Sequence, residues 1–501
     1  MQFKFSPALT VAFMLFISVC DVAPFREVTS LAAPAKLIYV APKGTSTGDG
    51  TRNKPLDIFT ALSERSPARP GDTIILMGGT YEGKMAGSSR VPFELGVSGT
   101  AGSPVRIIPA PGESAHLNGT SLVTSSYAEY IELDIGDSNW EPSQKQHQTG
   151  AALEVRAGAG TKIINCNIFG GSLGMAAWTP AVDLEIYGSL IHDFGSLEET
   201  GRGHGHAWYA QNKEGTKVFA NNIAYRGYGW NVHIYTQGGD IQGFDIIDNI
   251  CYIAGALKPD QTVDNYLISG YRPADRIRMI GNVGYQPSNI DKWRPNARLS
   301  SYGEGTNGYA VFKDNYLMGA PIGLLVGLWK NLTIEGNTFW AYDTLIEINS
   351  APAGLIGKNY KLNKNTYIDN GVKAPFKAQG GNLSFDKWQA LGFDTEGNLV
   401  QRQNGRPGGT RVFLFPNKYR KGRANIGVFN WDSKTEVAVD LSSVLSKGKR
   451  FRIYNCLDIK QTISMARPVL EFTYTGSEIK LPMRRDKVAP DFESFLLLPV
   501  D

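Results

Sequence analysis

LIYVAPKGTSTGDGTRNKPLDIFTALSERSPARPGDTIILMGGTYEG, residues 37–83, sets the pattern for the rest of the chain. Leu37–Ala41 reads as a strand. Asp57–Arg65 carries Ile58, Phe59 and Leu62 at helical spacing, so a short amphipathic helix is predicted there. Pro70-Gly71-Asp72 is a turn signal, and Thr73–Met77 is a second, apolar strand. Beyond it no segment sustains a 3.6-residue period for more than two turns. Short strands punctuated by glycine continue instead.

Those strands recur with a marker. A polar residue, usually Asn, precedes an apolar residue or Thr at Asn167-Ile168, Ser189-Leu190, Asn222-Ile223, Asn249-Ile250, Asn282-Val283, Asn315-Tyr316, Asn337-Thr338 and Asn365-Thr366. The steps are 22, 33, 27, 33, 33, 22 and 28 residues. A coil of about 22 residues with loop insertions explains that spacing. Asparagines at one position of every coil can stack as an amide ladder. Glycine is abundant, 56 of 501 residues, and much of it falls at the turns and insertions.

An opening strand, a helix, PGDTI and then GGTY resemble the start of many right-handed parallel β-helix proteins of the pectate-lyase-like superfamily. The resemblance covers residues 36–380 and implies a secreted protein that acts on or binds a polysaccharide. It implies no particular reaction, because the charged constellations of well-known pectate lyases have no match here. Residues 381–404 read as a cap or linker. From residue 405 the pattern changes to longer alternating runs, RVFLFP, ANIGVFNW, EVAVDL, RFRIYN, VLEFTY and EIKLPM, which predict a small antiparallel β-sandwich over 405–501. The fold class expected is thus all-β, a parallel β-helix with an N-terminal capping helix and an appended sandwich.

Composition removes other classes. With 42% hydrophobic residues and a net charge of +4 the chain is not disordered. Four cysteines are too few for a disulfide scaffold. The charges are spread too evenly to argue for nucleic acid. Lys4 followed by the apolar run Ala8–Cys20 and by Ala32, Ala33 and Ala35 reads as a signal peptide over 1–35, hence export. Lipid attachment at Cys20 is the competing reading. Cleavage would leave Cys166, Cys251 and Cys456, an odd number, expected as buried thiols. No later segment is apolar enough to span a membrane, and a monomer is expected.

Strand alternation aligns outward positions between coils. Taken 13 and 11 residues before the ladder, they are Glu154 and Arg156, Ala176 and Trp178, Tyr209 and Gln211, Ser269 and Tyr271, and Tyr302 and Glu304. Before Asn249 the strand NVHIYTQ, followed by Gly238-Gly239, shifts the outward pair to His233 and Tyr235. This aromatic and ionisable strip suits a sugar groove, with Tyr209 beside His233 and Gln211 beside Tyr235. The densest stretch is GRGHGHAWYAQN, residues 201–212.

Three chemistries compete. β-Elimination on a uronic-acid polymer needs a neutralised carboxylate, a base and an acid. His206, Tyr209, His233 and Tyr235 are the candidate catalytic residues. Glu154, Arg156, Trp178, Gln211, Arg226, Tyr271, Tyr302 and Glu304 are the candidate contacts to an acidic polysaccharide. Glycoside hydrolysis needs two carboxylates about 5–9.5 Å apart. Glu154 and Glu304, five coils apart, would be roughly 24 Å apart, so loops would have to supply the acids. A divalent metal on His204, His206 and His233 is the third reading, but the spacing is unspecific and no carboxylate accompanies it, so no cofactor is expected. A non-catalytic glycan-binding β-helix is the alternative outside enzymology. His192-Asp193, with Tyr225, Arg226, Tyr252 and Tyr285 at matching offsets, reads mainly as a structural aromatic stack.

Overall fold

Among the described residues, three sheets of 12 strands each run along a right-handed β-helix, each full coil contributing one strand to each sheet; the pairing is parallel throughout except at the end of the third sheet, where Gly381–Leu383 runs antiparallel to Phe376–Ala378. The computed structural model describes residues 35–86, 89–141, 150–198, 201–300, 305–349, 358–402 and 404–500. The expected signal peptide lies outside them up to residue 34. Residues from Lys36 onward form one compact unit. No helix among the described residues is long and apolar enough to cross a membrane.

The first sheet opens with Leu37–Thr45, Thr73–Leu76 and Val105–Pro109. The predicted helix is Ile58–Leu62, capped by Asp57, whose carboxylate accepts from the Phe59 and Thr60 backbone N–H groups. Ile58, Ala61 and Leu62 join the apolar core and so close the open end of the coil.

The amide ladder is continuous. Asn222, Asn249, Asn282, Asn315 and Asn337 each donate Nδ2–H to the Oδ1 of the next, ending on Asn365, at 2.8–3.0 Å. Asn365 donates to Asp394 at 2.8 Å, so a buried carboxylate finishes the stack. One rung differs from the sequence reading. Ser189 Oγ accepts from the Cys166 backbone N–H at 3.1 Å, and Asn167 pairs with Leu190. The first rung is therefore Cys166, not Asn167. The turn explains this. The residue before each rung has positive φ, at Asn165, Gly188, Asn221, Asp248, Gly281, Asp314, Gly336 and Lys364. Asn, Asp and Gly tolerate that region best. The turn, not the next asparagine, sets the frame.

Residues 381–404 contain a short helix, Phe385–Ala390, and a strand, Asn398–Val400, that adds a final rung to the second sheet. The C-terminal part is an antiparallel sheet in the order Thr410–Pro416, Ala424–Asn430, Phe492–Pro499, Arg450–Asn455, Leu470–Thr473. It packs against a pair, Glu436–Val439 with Ile479–Pro482. The central strand, Phe492–Pro499, was not among the six predicted runs, because FESFLLLP is buried on both faces and barely alternates.

The other face of that sheet covers the second sheet of the helix. Tyr225, Tyr252, Tyr285 and Tyr316 stand under Phe429, Trp431 and Phe492 in one apolar cluster. Tyr225 donates to the Cys456 carbonyl at 2.6 Å, and Ser494 to Tyr252 at 2.8 Å. The stack Phe169, His192, Tyr225, Tyr252, with centroids 5.1–5.9 Å apart, lies beneath it. Cys166, Cys251 and Cys456 are buried thiols, each pushed up to about 12 by burial.

Candidate functional site on the third sheet

The third sheet keeps an accessible face. In its register Glu154 stands beside Ala176, Ala176 beside Tyr209, and Tyr209 beside His233. Val155, Ala177, Ala210 and Ile234 alternate with them into the core. A hollow of about 470 Å³ opens over these strands, lined by Trp178, His204, His206, Tyr209, Gln211, His233, Tyr235 and the turn Thr236–Gly239.

His206 Nε2 and His233 Nδ1 are 3.1 Å apart, with ring centroids at 4.0 Å. Strand alternation misplaces His206: residues two apart should share a face, yet Trp208 fills the core and His206 lines the hollow. The chain turns over at Ala207. His233 is stacked between Trp230 (4.9 Å) and Tyr235 (5.1 Å), and Tyr209 lies 5.3 Å away. His206 Nδ1 is buried and takes no hydrogen bond.

Electrostatics hold both imidazoles neutral. Burial lowers His233 to about 3, helped by His204, Arg294 and Arg202. Burial drives His206 well below its ordinary value, helped by His233, His204 and Arg202. Burial raises the Tyr209 phenol, and Gln211 Nε2 donates to its hydroxyl at 3.4 Å. The hollow therefore offers unprotonated imidazole beside protonated phenol at neutral pH.

Glu154 sits at the edge of this hollow. It accepts from Trp178 Nε1 at 2.6 Å and pairs with Arg156 Nε at 3.1 Å. Trp178 is thereby held edge-on to Tyr209, at 5.5 Å and 85°. Arg156 lines a second hollow of about 540 Å³ with Glu64, Arg65, Glu94, Leu122 and Thr124. Beneath Trp178, Lys217 is buried and donates to the carbonyls of Trp178 (2.8 Å) and Ala181. Burial lowers its amine to about 7.

Of the predicted residues, Trp178, His206, Tyr209, Gln211, His233 and Tyr235 meet in one hollow, and Glu154 and Arg156 adjoin it. Three departures are clear. Arg226 does not face the groove. It forks onto Asp193 and donates to the Leu457 and Ile459 carbonyls at 2.9 and 2.8 Å, under the C-terminal sheet. Tyr271 is half-exposed but lies past the Thr236/Gly270 pair, outside the hollow's lining. The register beyond His233 also differs, by two residues in the next coil and by four in the one after: His233 stands beside Leu267 rather than Ser269, and Leu267 stands beside Arg298. The outward position of that coil is Arg298, not Tyr302. Tyr302 and Glu304 themselves lie outside the described residues.

Sequence reasoning missed Trp230, Arg202, Arg294, Lys217 and Leu267. Only Arg202, within GRGHGH, carried a signal, as a cation close in sequence to histidines. Among the described residues no three His, Cys, Asp or Glu side chains are grouped so as to hold a metal ion.

No family model matches the chain. A 45-residue stretch is 49% identical to pectate lyase L of Thermoclostridium stercorarium; it spans 9% of this chain and only 3% of that protein. Among solved structures the chain is similar to a GH136 lacto-N-biosidase from Eubacterium ramulus, with TM-score 0.43, 13% identity, and 73% and 68% of the two chains covered. It is also similar to pectate lyase Pel9A, with TM-score 0.40, 15% identity, and 75% and 88% covered. Similarity at this level leaves the reaction to be argued from the residues.

Proposed function

We propose that the protein is a polysaccharide-active enzyme that cleaves a uronic-acid polymer by β-elimination in the hollow around His206, Tyr209 and His233. The observation that carries this reading is the neutral imidazole pair, 3.1 Å apart, beside the un-ionised Tyr209 in an aromatic groove. The 45-residue identity with a pectate lyase runs with it.

In the proposed step His233 takes the proton from the carbon next to the carboxylate. The electron pair forms the new C–C double bond, the bond to the leaving oxygen breaks, and the Tyr209 phenol protonates that oxygen. Solvent then returns the proton from imidazolium to phenolate. A free imidazole titrating near 3 is a weak base. A bound carboxylate would offset the charges of Arg202 and Arg294, which are among the causes of that low value, and so raise His233 when substrate arrives. Trp178 and Tyr235 supply aromatic faces, and Gln211 and Arg156 supply donors.

The test is ultraviolet absorbance of unsaturated products from pectate, alginate and glycosaminoglycan chains. His233→Gln should lower turnover by about 10²–10⁴-fold. Absence of unsaturated product from all three polymers would count against elimination. A hydrolytic reading draws on one observation. Glu94, Leu122 and Glu154 stand side by side in one outward row, so the two carboxylates are two strands, roughly 10 Å, apart. That is near the inverting range. Saturated products lost in Glu154→Gln and kept in His233→Gln would favour it.

A further inference from the structure

Accessibility along the third sheet is lopsided about the histidines. On the N-terminal side the outward residues Glu94, Thr124 and Arg156 are exposed and Leu122 and Glu154 half-buried, with only the small Ala176 buried next to Tyr209. On the other side Leu267, Arg298 and Leu325 continue the row of His233 and are buried, at 2, 5 and 7%. Ser269, beside Tyr235, and Ser300, bonded to Ser269 at 3.2 Å, are buried as well. Outward positions of an outer sheet become buried only when something covers them.

Two consecutive insertions provide cover. The first leaves strand Ile250–Tyr252 and returns at Tyr266–Gly270. In the preceding coil only residues 228–229 separate the corresponding strands, Ile223–Gly227 and Trp230–Thr236. Its Ala254 and Val263 pack on Leu267 and Trp230. The second insertion joins Val283–Gln286 to Pro295–Leu299. Thr262 N–H donates to Asp291 at 2.9 Å, and Thr262 Oγ1 accepts from Ile290 N–H at 3.0 Å, tying the two together. Buried Asp264 then pins both to the sheet, with Arg298 Nε at 2.8 Å and Arg294 Nη1 at 3.6 Å. Arg294 also lies over Trp293 at 3.8 Å and Trp230 at 5.3 Å. This is a packed, ion-paired wall one strand beyond His233.

We propose that the groove is blind at this wall, so that a polymer enters from the side of Arg156 and Glu94 and is bound by one chain end seated at His233 and Tyr235. The protein then shortens chains from an end. This rests on the polysaccharide reading above, but its geometric half, selection for an end, does not require elimination.

The experiment uses the full-length protein with hexamers of galacturonate, of mannuronate and of a glycosaminoglycan. Each is offered unmodified, blocked at the reducing end with 2-aminobenzamide, or blocked at the non-reducing end with a 4-O-benzyl group. Binding is read by calorimetry, and products of the parent polymers by chromatography and viscometry. The expected result is that one block weakens binding at least tenfold while the other changes it less than twofold. Any polymer turned over should release one small product from the first minutes, with viscosity falling slowly. Equal binding of both blocked hexamers, or an early broad series of oligomers, overturns the blind end. End-selective binding without unsaturated product leaves the wall standing and overturns elimination. No binding of any hexamer overturns both.

Discussion

His206 Nε2 and His233 Nδ1 face each other across two adjacent strands of the open sheet at 3.1 Å, both held neutral by burial. The sign of the resulting pH dependence follows. The unfolded chain takes up histidine protons near 6.5, and folded His233 only near 3. Between those values the unfolded state binds more protons, so stability rises with pH through that window and falls on acidification. The slope is up to about 1.4 kcal/mol per pH unit for each histidine. Urea unfolding from pH 3.5 to 6.5 should be steeper for the native protein than for His206→Gln/His233→Gln. Parallel curves would show that the pair titrates alike in both states.

Tyr209→Phe removes the proton donor and keeps the ring that packs on His206, His233 and Trp178. Turnover should fall about 10²-fold or more, with the unfolding midpoint nearly unchanged. A variant of native activity would move the acid role elsewhere.

Arg226→Met leaves Asp193 buried with His192 as its remaining side-chain partner and removes two hydrogen bonds, those to the Leu457 and Ile459 carbonyls of the C-terminal part. Breaking a buried pair from one side costs about 3–5 kcal/mol. Denaturant titration should show that loss, while oligosaccharide affinity per folded molecule stays within twofold. Lost affinity would return Arg226 to the groove.

Asn282→Leu interrupts the ladder at its centre. It strands the Asn249 backbone N–H and one N–H of the Asn249 side-chain amide, which both donate to Asn282 Oδ1, while the other amide N–H stays on the Phe219 carbonyl. At about 1–3 kcal/mol for each buried orphan, equilibrium unfolding should register a loss of about 2–6 kcal/mol. A loss below that would mean the neighbouring coils close around the gap.

Trp178→Ala should act on binding more than on chemistry. The indole is fixed by Glu154 and by the carbonyl bond from Lys217, yet it touches Tyr209 only at the edge. KM should rise about tenfold, or about 1.4 kcal/mol, with kcat within a few-fold.

The sequence by itself determined the coil. Asn222, Asn249, Asn282, Asn315, Asn337 and Asn365 each follow a residue able to adopt positive φ, a local requirement of one turn type. It also brought Tyr209 beside His233, because parallel pairing carries one coil's order to the next, and Gln211 into the same hollow as Tyr235. Only the tertiary structure decided what each outward face does. Arg226 and Tyr209 look equally available in the sequence, but the C-terminal sheet covers one and leaves the other open. His206 reached the hollow through a turn-over at Ala207 that alternation cannot encode. The register past His233 moved by two residues and then by four, and Leu267 and Arg298 were buried by insertions whose placement depends on long-range packing. Local periodicity specifies which face a side chain takes; coverage of that face depends on residues distant in sequence, and here it distinguishes a groove from an interface.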